Sequence, residues 1–532
     1  MCYYTVTKGG EQPGQYNRAG RLSQRGVVVG KPYERLSQEQ VEIINRTSLD
    51  LLEDPGILCY HEESVSMLEK AGAKVKATRE GEHDAWWVSI PEKVVKQALD
   101  TAPSKVTLGA RNTENKVVMD AEASRIHFGS GSETNYWLEI EAETFSSKKD
   151  GREQVFPVMK KSRGNLGFLS RSAHLANNLE NLDFFIRNVN VQDEDVTTDN
   201  KDVNVFFTSL NNITKPVVGG IADFNQLKQV VGMAEIITGG REELVKNPVT
   251  SFITSVIKSP LQVVAETAEK LIEIARMGLP VVISTSPQGG STAPIDELGM
   301  VAQVNAEALT GIVINQLANP GAPVIYGAVP VRARMDDLHD MYGVPEFCHY
   351  NMACAQMARY YKVPCYSTAG VGDARVPGIQ AAVEKMFTYT AVPFAAPDLL
   401  HYAFGLLDKT QTFSPEQAVL DNHQIGMAKF LHRESGVTAE AAEETRKVIR
   451  EVMNSPYRMY ARHARKMLRK GGIFEGFPFE GESDDQDETL LKLHERFEEI
   501  EEKEPEHLPE DVCKKIFEQT PGLLPRLNPY SK

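Results

Sequence analysis

The sequence predicts an α/β fold, namely a (β/α)8 barrel (TIM barrel) with a small N-terminal α+β unit and a C-terminal helical extension. Two observations carry this prediction. Short β-rich runs, each opened by a proline, recur in the centre of the chain at intervals of 29 to 43 residues. Helical patterns fill the intervals. Strand, helix and strand at this spacing indicate parallel strands joined by helical crossovers.

The proline-opened runs define six of the expected strands. Proline is tolerated at the first residue of a strand, where a backbone donor can be spared. These prolines are Pro216, Pro248, Pro280, Pro323, Pro364 and Pro393. The helical patterns between them include Val263–Met277, Met300–Leu317, Pro345–Tyr361 and Gln380–Tyr389. Residues 116–215 leave room for two earlier units, so eight strands are expected. An open doubly wound sheet is the alternative, but no G-x-G-x-x-G follows the first strand.

The chain divides into four predicted segments. They are a basic N-terminal arm (1–36), an α+β unit (37–115), the barrel with its closing helices (116–470) and an acidic extension (471–532). Ser37 with Gln40 fits a capping box, and Asp54-Pro55-Gly56 ends the first helix. Pro91 suits the first turn of a later helix.

Composition narrows the class of protein. The 532 residues are 41% hydrophobic and 25% charged, which is typical of a globular chain. The net charge is −15, and residues 471–532 contain 17 acidic against 7 basic residues. The simpler interpretation of that acidity is a solvated tail. The alternative interpretation is a surface that attracts a basic protein. Without a basic stripe or a long apolar run, we expect no nucleic-acid partner and no membrane span.

Cysteine use and the N-terminus predict a cytoplasmic location. Six scattered cysteines do not form a disulfide scaffold. Cys348 and Cys354 lie six apart on a helical pattern without a C-x-x-C, so core packing is favoured over zinc, and no metal site is expected. The first residues lack a basic segment followed by an apolar core, so no secretory signal is expected.

In a barrel, reactive groups gather where strands end. The residues expected there are Gly219-Gly220, Thr254-Ser255, Ser284 to Gly290, Gly327, Thr368 to Asp373 and His401-Tyr402. This set is rich in small and hydroxyl side chains and poor in titratable groups. Hydrolases and aldolases need paired carboxylates, a lysine or a metal at these positions. The sequence therefore disfavours those classes and leaves space for something large to dock.

Two residues of that set are candidate catalytic groups. They are Asp373 and His401. Asp373 capping the following helix, and His401 as a satisfied buried histidine, remain open alternatives. Tyr136 and Trp137 form an aromatic wall or belong to the core.

Several long stretches of the chain carry a resemblance. From about Leu36 to about Asn454 they read LSQEQVEIINRTSLDLLEDPGI, IPEKVVKQALDTAP, NITKPVVGG, SPLQ, GLPVVISTSPQGGSTAP, NAEALTGIVINQLANPGAPVIYG, VPCYSTAGVGDARVPGIQAAVEK and FSPEQAVLDNHQIG. In this order they resemble the trimethylamine:corrinoid methyltransferase family. The resemblance implies a (β/α)8 barrel that moves a methyl group from a methylated amine to the cobalt of a separate corrinoid protein.

The trimethylamine enzymes of that family use pyrrolysine, whereas every position here is an ordinary amino acid. The chain thus resembles the non-pyrrolysine branch, which includes glycine betaine methyltransferase. The resemblance implies transfer from a small quaternary (or tertiary) amine to Co(I) of a cognate corrinoid protein. It implies no cofactor bound in the chain itself, with cobalamin or another corrinoid supplied by the partner. We also expect a homo-oligomer.

A quaternary ammonium has a neutral amine as leaving group, so the protein needs only a cation pocket and a polar anchor. Aromatic faces hold such cations. The candidates for substrate binding are Tyr136, Trp137, Tyr326, Arg332, Arg334, His401, Tyr402 and Phe404. The loops expected to face the corrinoid contain Gln288, Gly289, Gly290, Gly370 and Gly372.

The sequence also departs from the family. The segment YWLEIEAETFSSKKDGREQVFP, the basic arm and the acidic extension differ from the usual pattern. Two alternatives therefore stand beside the first hypothesis. One is a catalytically silent relative that binds a betaine or a corrinoid protein. The other is a corrinoid methyltransferase that uses a sulfonium or methoxy donor.

Overall fold

A computed structural model describes residues 25–131, 133–146, 153–474, 476 and 485–530. The chain separates into a main unit, residues 24–433 with 481–532, and a smaller unit, residues 1–23 with 434–480. Most of the predicted N-terminal arm lies outside the described residues.

The first part of the main unit contains both helices and strands. Its strands and helices, in chain order, are β1 (Val27–Val28), α1 (Gln38–Glu53), β2 (Ile57–Cys59), α2 (Glu62–Ala71), β3 (Lys74–Glu80), β4 (His83–Ser89), α3 (Glu92–Thr101), β5 (Lys105–Leu108) and β6 (Val117–Asp120).

Local signals of the sequence account for the ends of these helices. The Ser37 hydroxyl accepts the Gln40 N–H while the Gln40 side chain accepts the Ser37 N–H, which is the predicted capping box. Asp54 ends α1, and Pro91 is the N-cap of α3. Val41, Ile44 and Leu52 form the buried stripe of α1. The amphipathic pattern therefore fixes which side of the helix faces the core.

The second part of the main unit alternates strands and helices. Its elements are β7 (Arg125–Phe128), β8 (Tyr136–Ser146), β9 (Glu153–Arg163), α4 (Leu166–Asn178), β10 (Phe185–Ile186), α5 (Lys201–Asn212), β11 (Val217–Gly219), α6 (Phe224–Thr238), α7 (Arg241–Lys246), β12 (Thr250–Thr254), β13 (Ile257–Lys258), β14 (Gln262–Val263), α8 (Ala265–Arg276), β15 (Val281–Thr285), β16 (Gln288–Gly289), α9 (Glu297–Ala318), β17 (Val324–Ala328), β18 (Val331–Ala333), β19 (Asp340–Met341), α10 (Pro345–Tyr360), β20 (Cys365–Thr368), α11 (Ile379–Ala391), β21 (Leu399–His401), β22 (Leu406–Leu407), β23 (Thr412–Phe413) and α12 (Pro415–His432).

A curled nine-stranded sheet forms the centre of the unit, in the order β1-β7-β21-β20-β17-β15-β12-β11-β10. Strand β1 pairs antiparallel with β7, and the other eight strands run parallel. Hydrogen bonds also connect the two ends of the parallel set. The Asp183 N–H donates to Phe128 O at 2.7 Å, and the Ser130 N–H donates to Phe184 O at 3.3 Å. The chain after β7 therefore lies beside the chain that enters β10.

Five of the six strands predicted from prolines are present in this sheet. Prolines 216, 248, 280, 323 and 364 lie one or two residues before β11, β12, β15, β17 and β20. Strands β7 and β10 occupy the interval predicted to hold two units. The strand predicted at Pro393 is wrong, because residues Val392–Ala395 form a 3-10 turn and β21 begins only at Leu399.

A four-stranded sheet in the order β22-β23-β8-β9 was not predicted, and its two long strands form a ribbon. Strands β8 and β9 pair antiparallel from Tyr136↔Arg163 to Ser146↔Glu153. Near its far end, the Phe145 and Phe156 rings meet edge to face with centroids 5.8 Å apart. The ribbon begins a few residues after the carboxyl end of β7.

The acidic extension is packed rather than solvated over its described residues. It contains α15 (Gln486–Glu501) and α16 (Glu510–Gln519), which follow α13 (Ala439–Met453) and α14 (Ala461–Arg469) of the smaller unit. Phe497 and Ile516 are fully buried. The Arg171 guanidinium binds both Glu139 and Glu501, so α15 is tied to α4 and β8. The described residues from 485 onward therefore belong to the main unit.

Helices α13 and α14 of the smaller unit have no buried residue. In α13, Ile449 is 44% and Met453 55% exposed, and in the loops before the two helices Val437 is 89% and Met459 67% exposed.

Candidate functional site

A cavity of about 350 Å³ lies at the carboxyl end of the curled sheet. The residues that line it come from the ends of the parallel strands and the loops that follow them: Glu133, Ile186, Arg187, Gly220, Ile221, Ile253, Thr254, Ser255, Thr267, Lys270, Ile274, Ser284, Ser286, Val329, Tyr366, His401 and Tyr402. This is the edge at which α/β barrels place their active sites. The volume suits a small organic ligand.

Small and hydroxyl side chains predicted for this edge do line the cavity. Gly220, Thr254, Ser255, Ser284 and Ser286 are among them. They leave room at the strand ends and offer hydrogen-bonding hydroxyls.

Three aromatic side chains form one wall of the cavity. The His401 ring stacks on Tyr366, with centroids 4.1 Å apart and planes 20° apart. The His401 ring also contacts the Tyr402 ring, with centroids 3.9 Å apart and planes 54° apart. Faces of this kind attract cations through the ring quadrupole, which is worth about 0.5–2 kcal/mol per contact. We name Tyr366, His401 and Tyr402 the aromatic wall.

His401 is neutral in this wall. Its ring is 1% exposed, and burial lowers its pKa to about 3, against the weaker opposing effect of the Ser367 carbonyl. Nδ1 lies 2.7 Å from Ser367 O and 3.3 Å from the Thr368 hydroxyl. Donation from Nδ1–H to the Ser367 carbonyl fixes the tautomer. A neutral imidazole does not repel a cationic ligand.

Tyr402 has an unusual backbone conformation. Its φ is +64°, in the left-handed region that a bulky residue adopts at a cost of about 1–2 kcal/mol. An added Cβ on Gly131 would lie 2.8 Å from the Tyr402 ring, so the close approach of these two segments requires glycine. Strain of this kind persists only where the surroundings impose it.

An ion pair between Arg187 and Glu133 also lines the cavity. Arg187 is 8% exposed and donates through Nη1 to Gly220 O at 2.8 Å. Burial opposes ionisation of Glu133, but the positive charges of Arg187 and Lys201 outweigh burial and lower its pKa. Glu133 is therefore a carboxylate and Arg187 its counter-ion.

Lys270 is the second basic residue of the cavity. Its ammonium donates to Ala222 O at 2.6 Å, and the residue is 7% exposed.

The structure does not bring Trp137 or Tyr136 into the cavity. Trp137 is 1% exposed, its ring stacks on Phe168 at 4.9 Å, and its N–H donates to Glu139 at 2.7 Å. Tyr136 is 38% exposed, and the Lys161 ammonium covers its ring at 4.4 Å from the centroid. Trp137 thus belongs to the core, which was one of the two readings of the sequence.

Four other predicted substrate-binding residues lie outside the cavity lining. Tyr326 is fully buried on β17, and its hydroxyl donates to Asn305 Oδ1 at 3.2 Å. Phe404 is 1% exposed in the hydrophobic core. Arg332 pairs with Glu346 at 3.4 Å, and Arg334 pairs with Asp336 at 2.7 Å. Only His401 and Tyr402 of the predicted set line the cavity.

Asp373 holds a loop rather than the start of the next helix. Its carboxylate accepts the backbone N–H groups of Tyr342 and Gly343 at 3.0 Å each. Burial raises its pKa, although those two N–H groups act in the opposite direction. The structure places Asp373 at the junction of two loops, outside the cavity lining.

The loops predicted to face a corrinoid have mainly internal contacts. The Gln288 side chain donates to Leu338 O at 2.7 Å and to Asp340 at 2.6 Å, and β16 pairs Gly289 with Arg332. Gly290 and Gly370 have φ values of +90° and +91°. An added Cβ on Gly370 would overlap the Tyr389 ring, and one on Gly372 would lie 3.2 Å from Glu384 Oε2.

Sequence reasoning missed Arg187, Glu133 and Tyr366. The proline pattern places Tyr366 on a strand, in Pro364-Cys365-Tyr366, but it does not indicate that the ring lines a cavity. Arg187 follows a strand of only two residues that no proline opens, and the sequence holds no local signal for it.

Within the described residues, no group of three or more His, Cys, Asp or Glu side chains is arranged to hold a metal ion. Nor is any helix among them long and apolar enough to cross a membrane. The five described cysteines are buried and free, as expected of core residues.

The ends of the parallel strands enclose a small, partly aromatic cavity. This arrangement defines the class of protein, which is an α/β protein with an enzyme-like ligand site. The chain belongs to the trimethylamine methyltransferase (MTTB) family, whose pattern matches residues 7–468. This confirms the stated resemblance and the expected enzyme class, a methyltransferase.

The chain is also similar to individual methyltransferases. The trimethylamine methyltransferase MttB of Desulfitobacterium hafniense is 29% identical over 418 residues, covering 77% of this chain and 78% of the relative. The glycine betaine methyltransferase of the same species is 27% identical over 435 residues, covering 82% and 84%. The trimethylamine methyltransferase MttB of Methanosarcina barkeri is 28% identical over 422 residues, covering 77% and 79%.

Proposed function

We propose that the protein transfers a methyl group from a small quaternary amine to the Co(I) of a cognate corrinoid protein, without pyrrolysine. The observation that supports this most directly is the aromatic wall at the strand ends of a chain in this family. The glycine betaine relative supports a quaternary amine, and the trimethylamine relatives make a tertiary amine the next donor to test.

The proposal includes a closed (β/α)8 barrel. Eight parallel strands support closure, and so do the hydrogen bonds from the Asp183 N–H to Phe128 O and from the Ser130 N–H to Phe184 O. Each strand end would then face one central cavity.

We propose that the aromatic wall holds the onium group. A cation next to Tyr366 and Tyr402 gains quadrupole attraction, and the neutral His401 adds a third face without charge repulsion. Enclosure at the strand ends excludes water, which strengthens that attraction.

Arg187 is the proposed anchor for a donor that also carries a carboxylate. Unlike Arg332 and Arg334, it lines the cavity. A guanidinium binds a carboxylate through two parallel hydrogen bonds. In this structure Glu133 occupies that role, so a substrate carboxylate would have to exchange with Glu133.

The corrinoid of the partner would supply the nucleophile that accepts the methyl group. This chain would hold the donor, orient one methyl group toward the open edge and keep water away. Because the leaving group is a neutral tertiary amine, no side chain needs to give it a proton. That agrees with a cavity whose carboxylate, Glu133, is held ionised by Arg187.

The test mixes the full chain with a reduced corrinoid protein and a panel of methylated donors. The panel contains quaternary amines, trimethylamine, a sulfonium and a methoxy compound, and the demethylated product is measured by mass spectrometry. We expect product from at least one quaternary amine. Turnover of only the sulfonium or methoxy donor would contradict the amine assignment.

A donor that binds in calorimetry and is never demethylated would instead favour a silent binding protein. The Tyr402→Leu variant is expected to lose turnover in parallel with binding.

A further inference from the structure

A completely buried ion pair lies near the aromatic wall. Lys385 of α11 and Asp421 of α12 are 3.0 Å apart, Nζ to Oδ2, and both side chains are 0% exposed. Removing two charges from water offsets most of their attraction, so such a pair is weak evidence for stability. Its other hydrogen bonds point to a different role.

Those hydrogen bonds reach two neighbouring loops. The Lys385 ammonium donates to Gly370 O, just after β20. The Asp421 carboxylate accepts the Gly405 N–H at 2.7 Å, just after β21. Strands β20 and β21 are adjacent in the sheet, and they carry Tyr366 and His401. The pair therefore connects the two loops that follow the aromatic wall.

Helix α11 holds the same loops at two more points. The Thr388 hydroxyl accepts the Gly370 N–H at 2.9 Å. The Tyr389 hydroxyl donates to Ala403 O. Tyr389 and Lys385 are both fully buried, one turn apart on the helix.

Tyr402 lies between these attachment points. Ala403, the next residue, is held on its carbonyl by Tyr389 and on its N–H by Gly129 O at 3.0 Å. Gly405 is held by Asp421. The left-handed φ of Tyr402, +64°, is thus imposed by fixed residues on its carboxyl side.

We propose that the Lys385–Asp421 pair, with the Tyr389 hydroxyl, is a positioning device that fixes the backbone of Tyr402 and so keeps its ring in the cavity. The three residues act through Tyr402 and are positioning residues. The proposal depends on the proposed function only for the choice of ligand, an onium ion.

The test is a double-mutant cycle with tetramethylammonium as the probe, measured by calorimetry on the full chain. One arm is Tyr402→Leu, and the other replaces the pair by apolar residues, Lys385→Met with Asp421→Leu. Each arm is expected to weaken binding about 3- to 30-fold. The combined variant is expected to bind no more weakly than Tyr402→Leu, because both arms remove the same contact. Losses that multiply would overturn the proposal.

Tyr389→Phe is the second variant, because it keeps the ring and removes only the hydroxyl. We expect weaker tetramethylammonium binding and faster hydrogen exchange in the peptide spanning residues 399–407. If this variant binds tetramethylammonium and exchanges hydrogen as the wild type does, the hydroxyl has no such role. The proposed positioning of Tyr402 would then be overturned.

The matched control is Lys429→Met, which breaks another buried pair of helix α12. Lys429 lies 2.8 Å from Asp183, a residue that precedes β10, and the two side chains are 15% and 2% exposed. Asp183 retains Arg25 as a partner. Tetramethylammonium binding should be unchanged in this variant, whereas an equal loss would identify a general effect of removing buried charge.

The exchange measurement separates the two proposals. If the wild type binds no onium ion, the proposed function fails. Faster hydrogen exchange confined to residues 399–407 in Tyr389→Phe would still support the positioning of Tyr402. Unchanged hydrogen exchange in that variant would overturn it.

Discussion

The ring of His401 stacks on the ring of Tyr366 at the ends of two adjacent parallel strands, with centroids 4.1 Å apart. Tyr402 continues this arrangement at 3.9 Å from His401. Three rings thus form one continuous surface, although they come from β20 and from the end of β21 with the residue after it, about 35 residues apart in the chain.

Removing a ring from the wall should weaken the binding of an onium ion. Tyr366→Leu and Tyr402→Leu should each cost about 0.5–2 kcal/mol in tetramethylammonium binding, because a cation loses one quadrupole. Calorimetry on the purified chain measures this. Tyr136→Leu is the control, since that ring lies under Lys161 outside the cavity lining. Equal losses for tert-butanol, a neutral ligand of similar shape, would show that charge is not involved.

The neutral state of His401 should make stability depend on pH. Its pKa is about 3 in the folded chain and about 6.5 when unfolded. Between these values the unfolded chain binds a proton that the folded chain does not, so stability falls as the pH falls. One such group contributes a slope of at most about 1.4 kcal/mol per pH unit. Urea unfolding of wild type and His401→Gln between pH 7 and 4.5 should show a shallower slope in the variant. Parallel curves would mean that His401 does not titrate in this way.

Arg187 should distinguish zwitterionic donors from simple cations. Arg187→Met with Glu133→Gln removes the ion pair without leaving a buried charge unpaired. Binding of glycine betaine should fall by about 1.5–3 kcal/mol, the value of a charged hydrogen bond, while tetramethylammonium should change little. Arg332→Met is the control, because Arg332 lies outside the cavity lining. Equal losses for both ligands would remove Arg187 as the carboxylate anchor.

The docked extension should contribute to the stability of the main unit. Phe497 is fully buried, and its centroid lies 6.4 Å from that of Trp137. Phe497→Ala should reduce the free energy of unfolding by about 3–5 kcal/mol. Val437→Ala is the control, as Val437 is 89% exposed in the smaller unit. Denaturant unfolding measures the free energy of unfolding of both variants. Equal values for the two would mean that the extension is solvated and does not stabilise the main unit.

Much of the fold could be predicted from local signals. Prolines such as Pro280 and Pro323 precede parallel strands because they can open a strand without needing a backbone donor. Pro393 misled the prediction because Val392 to Ala395 continue helix α11 as a 3-10 turn. The ribbon of β8 and β9 went unpredicted, although apolar and acidic residues alternate from Leu138 to Glu143 in β8, which is the period of a strand. Strand β9 is mostly exposed, so burial gives it a weaker pattern.

The site could be predicted only in part. The small residues of the rim followed from the strand ends, and so did His401 and Tyr402. Trp137 and Tyr402 are equally plausible wall residues in the sequence, yet one packs on Phe168 and the other lines the cavity. Tertiary packing decides which aromatic ring lines the cavity, and no local pattern contains that information. Arg187 was missed for the same reason, because its partner Glu133 comes from a different strand end.

The contact of Trp137 with Phe497 also bears on when the chain can fold during synthesis. Helix α15 closes an aromatic cluster begun by the ribbon, and the ribosome makes that helix only after every strand of the sheet. Until then Trp137 lacks one of its covering rings. From the synthesis of the sheet until that of α15, the nascent main unit therefore has an uncovered apolar patch, and this is the stage at which chaperones would meet it.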